Sequence, residues 1–521
     1  MTWDAIVIGS GFGGVMAAWP LVQAGQRVLM LERGGWVGRG PENWTEGSAG
    51  FVSPWYTKET PYSVRAGGRS YTAGSFNCVG GQSVFYGGAS YRFRETDFQP
   101  NTAITGDSGA AWPVDYDDLE PFYMMAERLL GVAGEECSSD PRRSGPFPCA
   151  AAPLSHLSAR IATATILAGM SPSRIPVAIS FERRDASRHC IRCGTCDGYA
   201  CAAEAKNDLA TGVIPRLVRL GMTLRPNSIC VRLHRAGERI TGVEIVDRIT
   251  GAAEIIEGTR VILAAGTLAT PHLLLSSNLA RVNPAGHAVG RYLTRHRNAV
   301  VFGVFPTRPN PSREFDKQVA ILDHYEIAGS LQQMTPPLGL VRSYLPRGLR
   351  SLGSALVEHS TGLLAIAEDQ PRRENGVQVD WSQVDQFGLP RLRVDHSYSH
   401  RDQRAARVLI VAGKKIMREA GARFTWVHAV ETFSHALGTV RMGVDERSAP
   451  LDEQGRYRGI ENLYVTDGSA LPRSASLNPS LTIAANALRI GSGIAGPPPV
   501  RVGRRLRMID HPLTSNAITQ P

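Results

Sequence analysis

The stretch from Asp4 to Glu32 restricts the fold more than any other part of this chain. DAIVI, over Asp4–Ile8, is a short apolar run without polar alternation, the pattern of a strand buried on both faces. GSGFGG follows at once, and a helix is predicted from about Gly11 through VMAAWPLVQAG. QRVLMLE then reads as a second, parallel strand ending on Glu32. Together they form one βαβ unit, the opening of a doubly wound α/β sheet. Gly9, Gly11 and Gly14 have the G-x-G-x-x-G spacing of a tight turn that lets a pyrophosphate approach a helix N-terminus. Backbone N–H groups and the helix dipole favour an anion there. Phe12 lies within the turn, and Glu32 is placed to accept ribose hydroxyls. A lone glycine turn means little, but here the strand, helix, second strand and terminal acid are all present. The unit reads as a dinucleotide site. Pro20 removes a backbone donor and is expected to kink or shorten the helix.

A length of 521 residues suggests roughly two to four domains. Hydrophobic residues at 43% and charged residues at 20% suit a soluble enzyme. The net charge is +10, yet no basic stripe alternates with aromatics, so no nucleic-acid partner is expected. Arg501, Arg504, Arg505 and Arg507 follow GPPPV and read as a solvated basic tail over 499–521. No run is apolar and long enough to span a bilayer. The N-terminus enters a strand directly, leaving no room for a leader, and a cytoplasmic protein is expected.

From about Gly34 to Ala111 the chain reads as loop, with repeated glycine pairs. WPVDYDDLEPFYMMAERLLGV, from Trp112, reads as a capped helix. Strands return in MTLRPNSICVRLHR, ITGVEIVDR and TRVILAAG, and residues 301–393 suit an antiparallel sheet. RDQRAARVLIVAGKKIMREAG and SLTIAANALRIGSGIA are predicted helices.

Four separated segments carry a further resemblance. They are NCVGGQSVFYGGASYRF from Asn77; WPVDYDDLEPFY; AAGTLATPHLLLSSN from Ala264, followed by VGRYLTRH; and SHALGTVRMG from Ser434 onward to LYVTDGSALPRSASLNPSLTIAANALRIG. In content and order the chain resembles the glucose-methanol-choline (GMC) family of flavoproteins. The resemblance implies FAD, held by a doubly wound Rossmann-like domain, with an antiparallel-sheet substrate domain against it. It assigns 1–115, 202–300 and 432–498 to FAD, and 116–201 with 301–431 to substrate. It also implies FAD contacts at Gly81, Ser83, Gly88, Val231, Gly266, Asp467 and Gly468.

Alcohol oxidation by hydride transfer needs a group to receive the hydroxyl proton. A neutral imidazole suits that task, and an amide orients a hydroxyl without competing as a base. His435 and Asn478, 43 residues apart, match the family's catalytic positions and are the expected base and partner. The implied activity is oxidation of an alcohol (a sugar, glycoside, polyol or sterol-like molecule) to the carbonyl, with hydride passing to flavin N5. Electrons would then go to oxygen or another acceptor. A non-redox lyase on the same fold is the rival.

Cys190, Cys193, Cys196 and Cys201 lie within twelve residues, close enough to hold an iron–sulfur cluster or a zinc ion. Structural thiols or a disulfide are the alternative. A cluster would favour a dehydrogenase that passes electrons to a partner.

Overall fold

The computed structural model describes residues 2–182, 188–193, 196–334, 346, 348 and 350–496. The expected basic tail, 499–521, lies outside the described residues.

The opening unit folds as its pattern requires. β1 (Ala5–Ile8) and β2 (Val28–Leu31) are fully buried and flank α1 (Phe12–Gln23). They pair in parallel, Ala5 opposite Val28, and β1 also pairs with strand Val261–Leu263. Strands Leu463–Val465 and Thr223–Arg225 complete a five-stranded parallel sheet, drawn from the opening unit and three later stretches of the chain. The strands' carboxyl ends lie on one side, where a doubly wound sheet binds its ligand. The closing helix Ser480–Ala495 packs on α1, with Gly491 against the Ala17 backbone so closely that no Cβ fits between them.

Pro20 does not break α1, which continues to Gln23. It stands in the last turn, where the ladder bond it removes is followed by few others. Asp115 caps the helix Tyr116–Leu130 by accepting from the Asp118 N–H, and Gly131 ends it in the left-handed conformation, as the sequence predicts.

A second, six-stranded antiparallel sheet runs in the order 424–429, 297–304, 360–367, 330–334, 319–321, 172–174. Helices His156–Leu167 and His400–Glu419 cover it and form a separate apolar core with it. The reading of 301–393 as one sheet needs correction. Strands Gly376–Val384 and Pro390–His396 leave that sheet and join the hairpin Tyr56–Ala66/Arg69–Phe76. That hairpin lies in the stretch expected to be loop. Its Gly67–Gly68 pair is a two-residue turn with both φ values positive, +58° and +76°, the backbone a tight hairpin demands. Among the described residues no helix is long and apolar enough to cross a membrane.

Candidate active site

The cofactor-type residues gather at the carboxyl ends of the parallel strands. Gly9 has φ +105°, and a Cβ there would strike the Ala264 carbonyl. A Cβ on Gly14 would strike the Gly9 carbonyl, so these two glycines serve turn and packing. Gly11 differs. A Cβ on it would meet nothing within 4 Å, and no side chain caps the helix it begins. The open space in front of that N-terminus suits a diphosphate.

Gly81 closes over the same space, its own ideal Cβ position 3.4 Å from the Gly11 Cα. Phe12 packs edge-on to Tyr86 of the same segment, centroids 5.6 Å apart. Ser10 joins the two parts: its hydroxyl donates to Glu32 Oε2 at 2.6 Å and accepts from the Gly80 N–H at 2.9 Å. Glu32 also accepts from the Gly34 N–H at 3.0 Å, and burial holds its carboxyl above the usual range. Ser83 lies below this surface; its hydroxyl donates to the Gly80 carbonyl and accepts from the Leu209 N–H. Gly88, at φ +79°, packs on Ile179. Val231 is half-buried in strand Ser228–Ala236, whose first residue donates its N–H to the Glu32 carbonyl.

Asp467, at the end of strand Leu463–Val465, gathers the opposite wall. One carboxylate oxygen accepts from the Gly266 N–H at 2.8 Å and from Thr270 Oγ1. The other accepts from Ser469 N–H and Oγ, and the Gly468 carbonyl accepts from the Gly438 N–H. Gly468 leaves no room for a Cβ beside Leu437. Thr267 then carries the arrangement to the catalytic segment, its Oγ1 donating to the Ala436 carbonyl at 2.6 Å. His435 is therefore positioned from the strand ends.

His435 and Asn478 meet: Asn478 Nδ2 lies 3.5 Å from His435 Nε2. Asn478 Oδ1 is buried and finds no hydrogen-bond partner, an acceptor left for a ligand hydroxyl. Burial, with His296 and Lys317 nearby, keeps the His435 imidazole well below its usual range, so it is neutral at pH 7.

Sequence reasoning missed three groups here. His296 Nδ1 lies 3.0 Å from His435 Nδ1. Asp369, buried, accepts from the backbone N–H groups of Arg295 and His296 and from His396 Nε2. Lys317 Nζ pairs with Asp197 at 2.5 Å, which brings the cysteine-rich segment to this region. His296 was visible in VGRYLTRH, but nothing in the sequence set it against His435.

The cysteines do not assemble a ligand set. Cys190, Cys196 and Cys201 are free thiols, and among the described residues no three His, Cys, Asp or Glu side chains are arranged to hold a metal. The disulfide, zinc and cluster readings thus find no support in the fold. The segment is instead tied down by Lys206, whose buried ammonium donates to the carbonyls of Tyr86, Cys196 and Tyr199 at 2.6, 3.0 and 2.7 Å.

Models of the GMC oxidoreductase family match residues 158–298 and 371–487. The 6'''-hydroxyparomomycin C oxidase of Streptomyces lividus is 30% identical across 95% of this chain and 91% of its own length. The chain is a GMC oxidoreductase. Other relatives of this GMC protein include the paromamine 6'-oxidase of Streptomyces fradiae, 29% identical over 95% of this chain and 91% of the relative. The 2-methyl-1,2-propanediol dehydrogenase of Mycolicibacterium austroafricanum is 28% identical over 94% and 95%. The fold matches the pyridoxine 4-oxidase of Mesorbium loti with a TM-score of 0.68 at 18% identity, over 94% of this chain and 99% of that one. As a GMC oxidoreductase it is an FAD-dependent enzyme acting on alcohols, and the open cleft before Gly11 fits that cofactor's diphosphate.

Proposed function

We propose that this enzyme oxidises a hydroxyl of a sugar-, glycoside- or polyol-type molecule to the carbonyl, with His435 as the base. The observation that carries this reading is the pairing of a neutral imidazole nitrogen with a partnerless amide oxygen, 3.5 Å between the two side chains. The relatives named for paromamine, 6'''-hydroxyparomomycin C and a propanediol support the substrate class. FAD supplies the hydride acceptor when bound. Gly9, Gly11, Gly14 and Gly81 would shape the space for its diphosphate, with Glu32 near the ribose. Val231, Gly266, Asp467 and Gly468 would flank the remainder, while Ser83 and Gly88 hold the segment over the ring. Asn478 Nδ2 donates to the substrate hydroxyl oxygen, which leaves that hydroxyl's one proton directed at His435, while Asn478 Oδ1 is free to accept from another hydroxyl of the same molecule. His435 Nε2 then takes the hydroxyl proton as the carbon becomes electron-deficient.

Replacing His435 by Ala tests the assignment. Anaerobic reduction of the flavin by substrate should slow by about 10²–10⁴-fold, with FAD still bound. Reduction at the wild-type rate would remove His435 from the mechanism.

A further inference from the structure

His435 can serve as a base at Nε2 only if its single proton stays on Nδ1. On the substrate side only the long 3.5 Å contact from the Asn478 Nδ2 donor favours that. We propose that His296 sets the tautomer of His435, acting as a positioning residue that keeps Nε2 unprotonated and directed at the substrate hydroxyl; this rests on the assignment of His435 as base.

The Ser474 carbonyl oxygen can only accept a hydrogen bond. His296 Nε2 lies 3.0 Å from the Ser474 carbonyl oxygen, so Nε2 must carry a proton and donate it. His296 is buried, which holds its imidazole below the usual range and hence neutral. With its one proton on Nε2, its Nδ1 is a lone pair. That lone pair lies 3.0 Å from His435 Nδ1, and a bond there requires His435 Nδ1 to donate. His435 Nε2 is then the free base, on the side where Asn478 stands. When the hydroxyl O–H breaks and the proton arrives at Nε2, the Nδ1–H···Nδ1 bond becomes charge-assisted and strengthens.

The fold takes trouble to present His296 this way. Its φ is +61°, in the left-handed region few side chains adopt. Buried Asp369 grips the turn through the N–H groups of Arg295 and His296 at 3.0 and 2.9 Å. Tyr398 donates its hydroxyl to the His296 carbonyl at 2.8 Å. Thr294 and Leu437 exchange backbone bonds of 2.9 and 3.1 Å, aligning the two histidine segments. The accepting carbonyl, Ser474, belongs to the loop that leads to Asn478, so one loop serves both base and partner.

Two substitutions separate tautomer control from plain structure. His296→Leu removes the acceptor. His296→Asn keeps an oxygen at the Nδ1 position, and asparagine tolerates positive φ. Nitrogen NMR of histidine-labelled holoenzyme reads the tautomer directly. The expected result is Nδ1–H at His435 in the wild type and His296→Asn, and its loss in His296→Leu. Anaerobic flavin reduction should fall by at least about tenfold in His296→Leu and stay within about threefold of wild type in His296→Asn, with substrate affinity little changed. An Nε2–H tautomer in the wild type, or an unchanged tautomer and rate in His296→Leu, would overturn the proposal. Should His296→Leu fail to fold, the wild-type and His296→Asn spectra still decide. Failure of the base assignment shows separately, as an active His435→Ala enzyme.

Discussion

Residues of one type do different work here, and the three glycines of the first turn show it. Their spacing was legible in the sequence because the backbone needs of the turn are local. Gly9 and Gly14 are required by packing, since a Cβ on either would enter backbone atoms. Gly11 is not: its φ is −74°, and a Cβ would project into open space. Gly11→Ala should therefore fold, with an apo melting temperature near wild type, yet hold FAD more weakly because its methyl occupies the diphosphate space. Thermal melts and an FAD titration check this; tight FAD binding by the variant would mean that the cleft lies elsewhere. The motifs around His435 and Asn478 single them out as expected base and partner, and the two side chains lie together in the fold. His296 and Asp369 were not legible, because a left-handed histidine gripped by a carboxylate 73 residues away in sequence leaves no local pattern.

Elements were readable where a local signal agreed with tertiary demand. The helix Tyr116–Leu130 has its cap residues in the sequence, and the buried strands have their apolar runs. The hairpin around Gly67–Gly68 reads as loop in the sequence because its strands carry charged and polar residues and its turn is glycine. The departure of strands Gly376–Val384 and Pro390–His396 to that hairpin depends on long-range pairing that alternation alone cannot assign. Helix Ala269–Ser276 is fastened to this sheet by His272, whose Nε2 donates to the Pro390 carbonyl at 2.7 Å. Burial lowers the His272 imidazole to about 4, below the 6.5 of an exposed ring. The unfolded chain then binds the extra proton between those values, so this stability is present above pH 6.5 and is lost as pH falls toward 4, by up to about 3 kcal/mol. His272→Gln should flatten the decline in unfolding free energy between pH 7 and pH 4.5, read by urea denaturation. An equally steep decline in the variant would show that His272 is not the group titrating.

At the scale of the molecule, two sheets meet around one reaction site. The parallel sheet supplies the cofactor cleft through its strand ends. The antiparallel sheet brings His296 at the start of strand Arg297–Val304. The segment from Ser434 to Asn478 contributes strand Leu463–Val465 to the parallel sheet and brings His435 and Asn478 together. The class of fold and its ligand type followed from the βαβ unit and the family motifs. The substrate did not, because the groups around His435 come from stretches as far apart as His296, Lys317 and Asn478, which no single stretch of sequence describes. The most direct test of the central claim is anaerobic mixing of the FAD-bound enzyme with a panel of sugars, glycosides and polyols, following the flavin absorbance and the product together. Bleaching by at least one hydroxyl compound, with one carbonyl formed per flavin reduced, is the expected result. Conversion of such a compound while the flavin stays oxidised in the absence of any acceptor would contradict it.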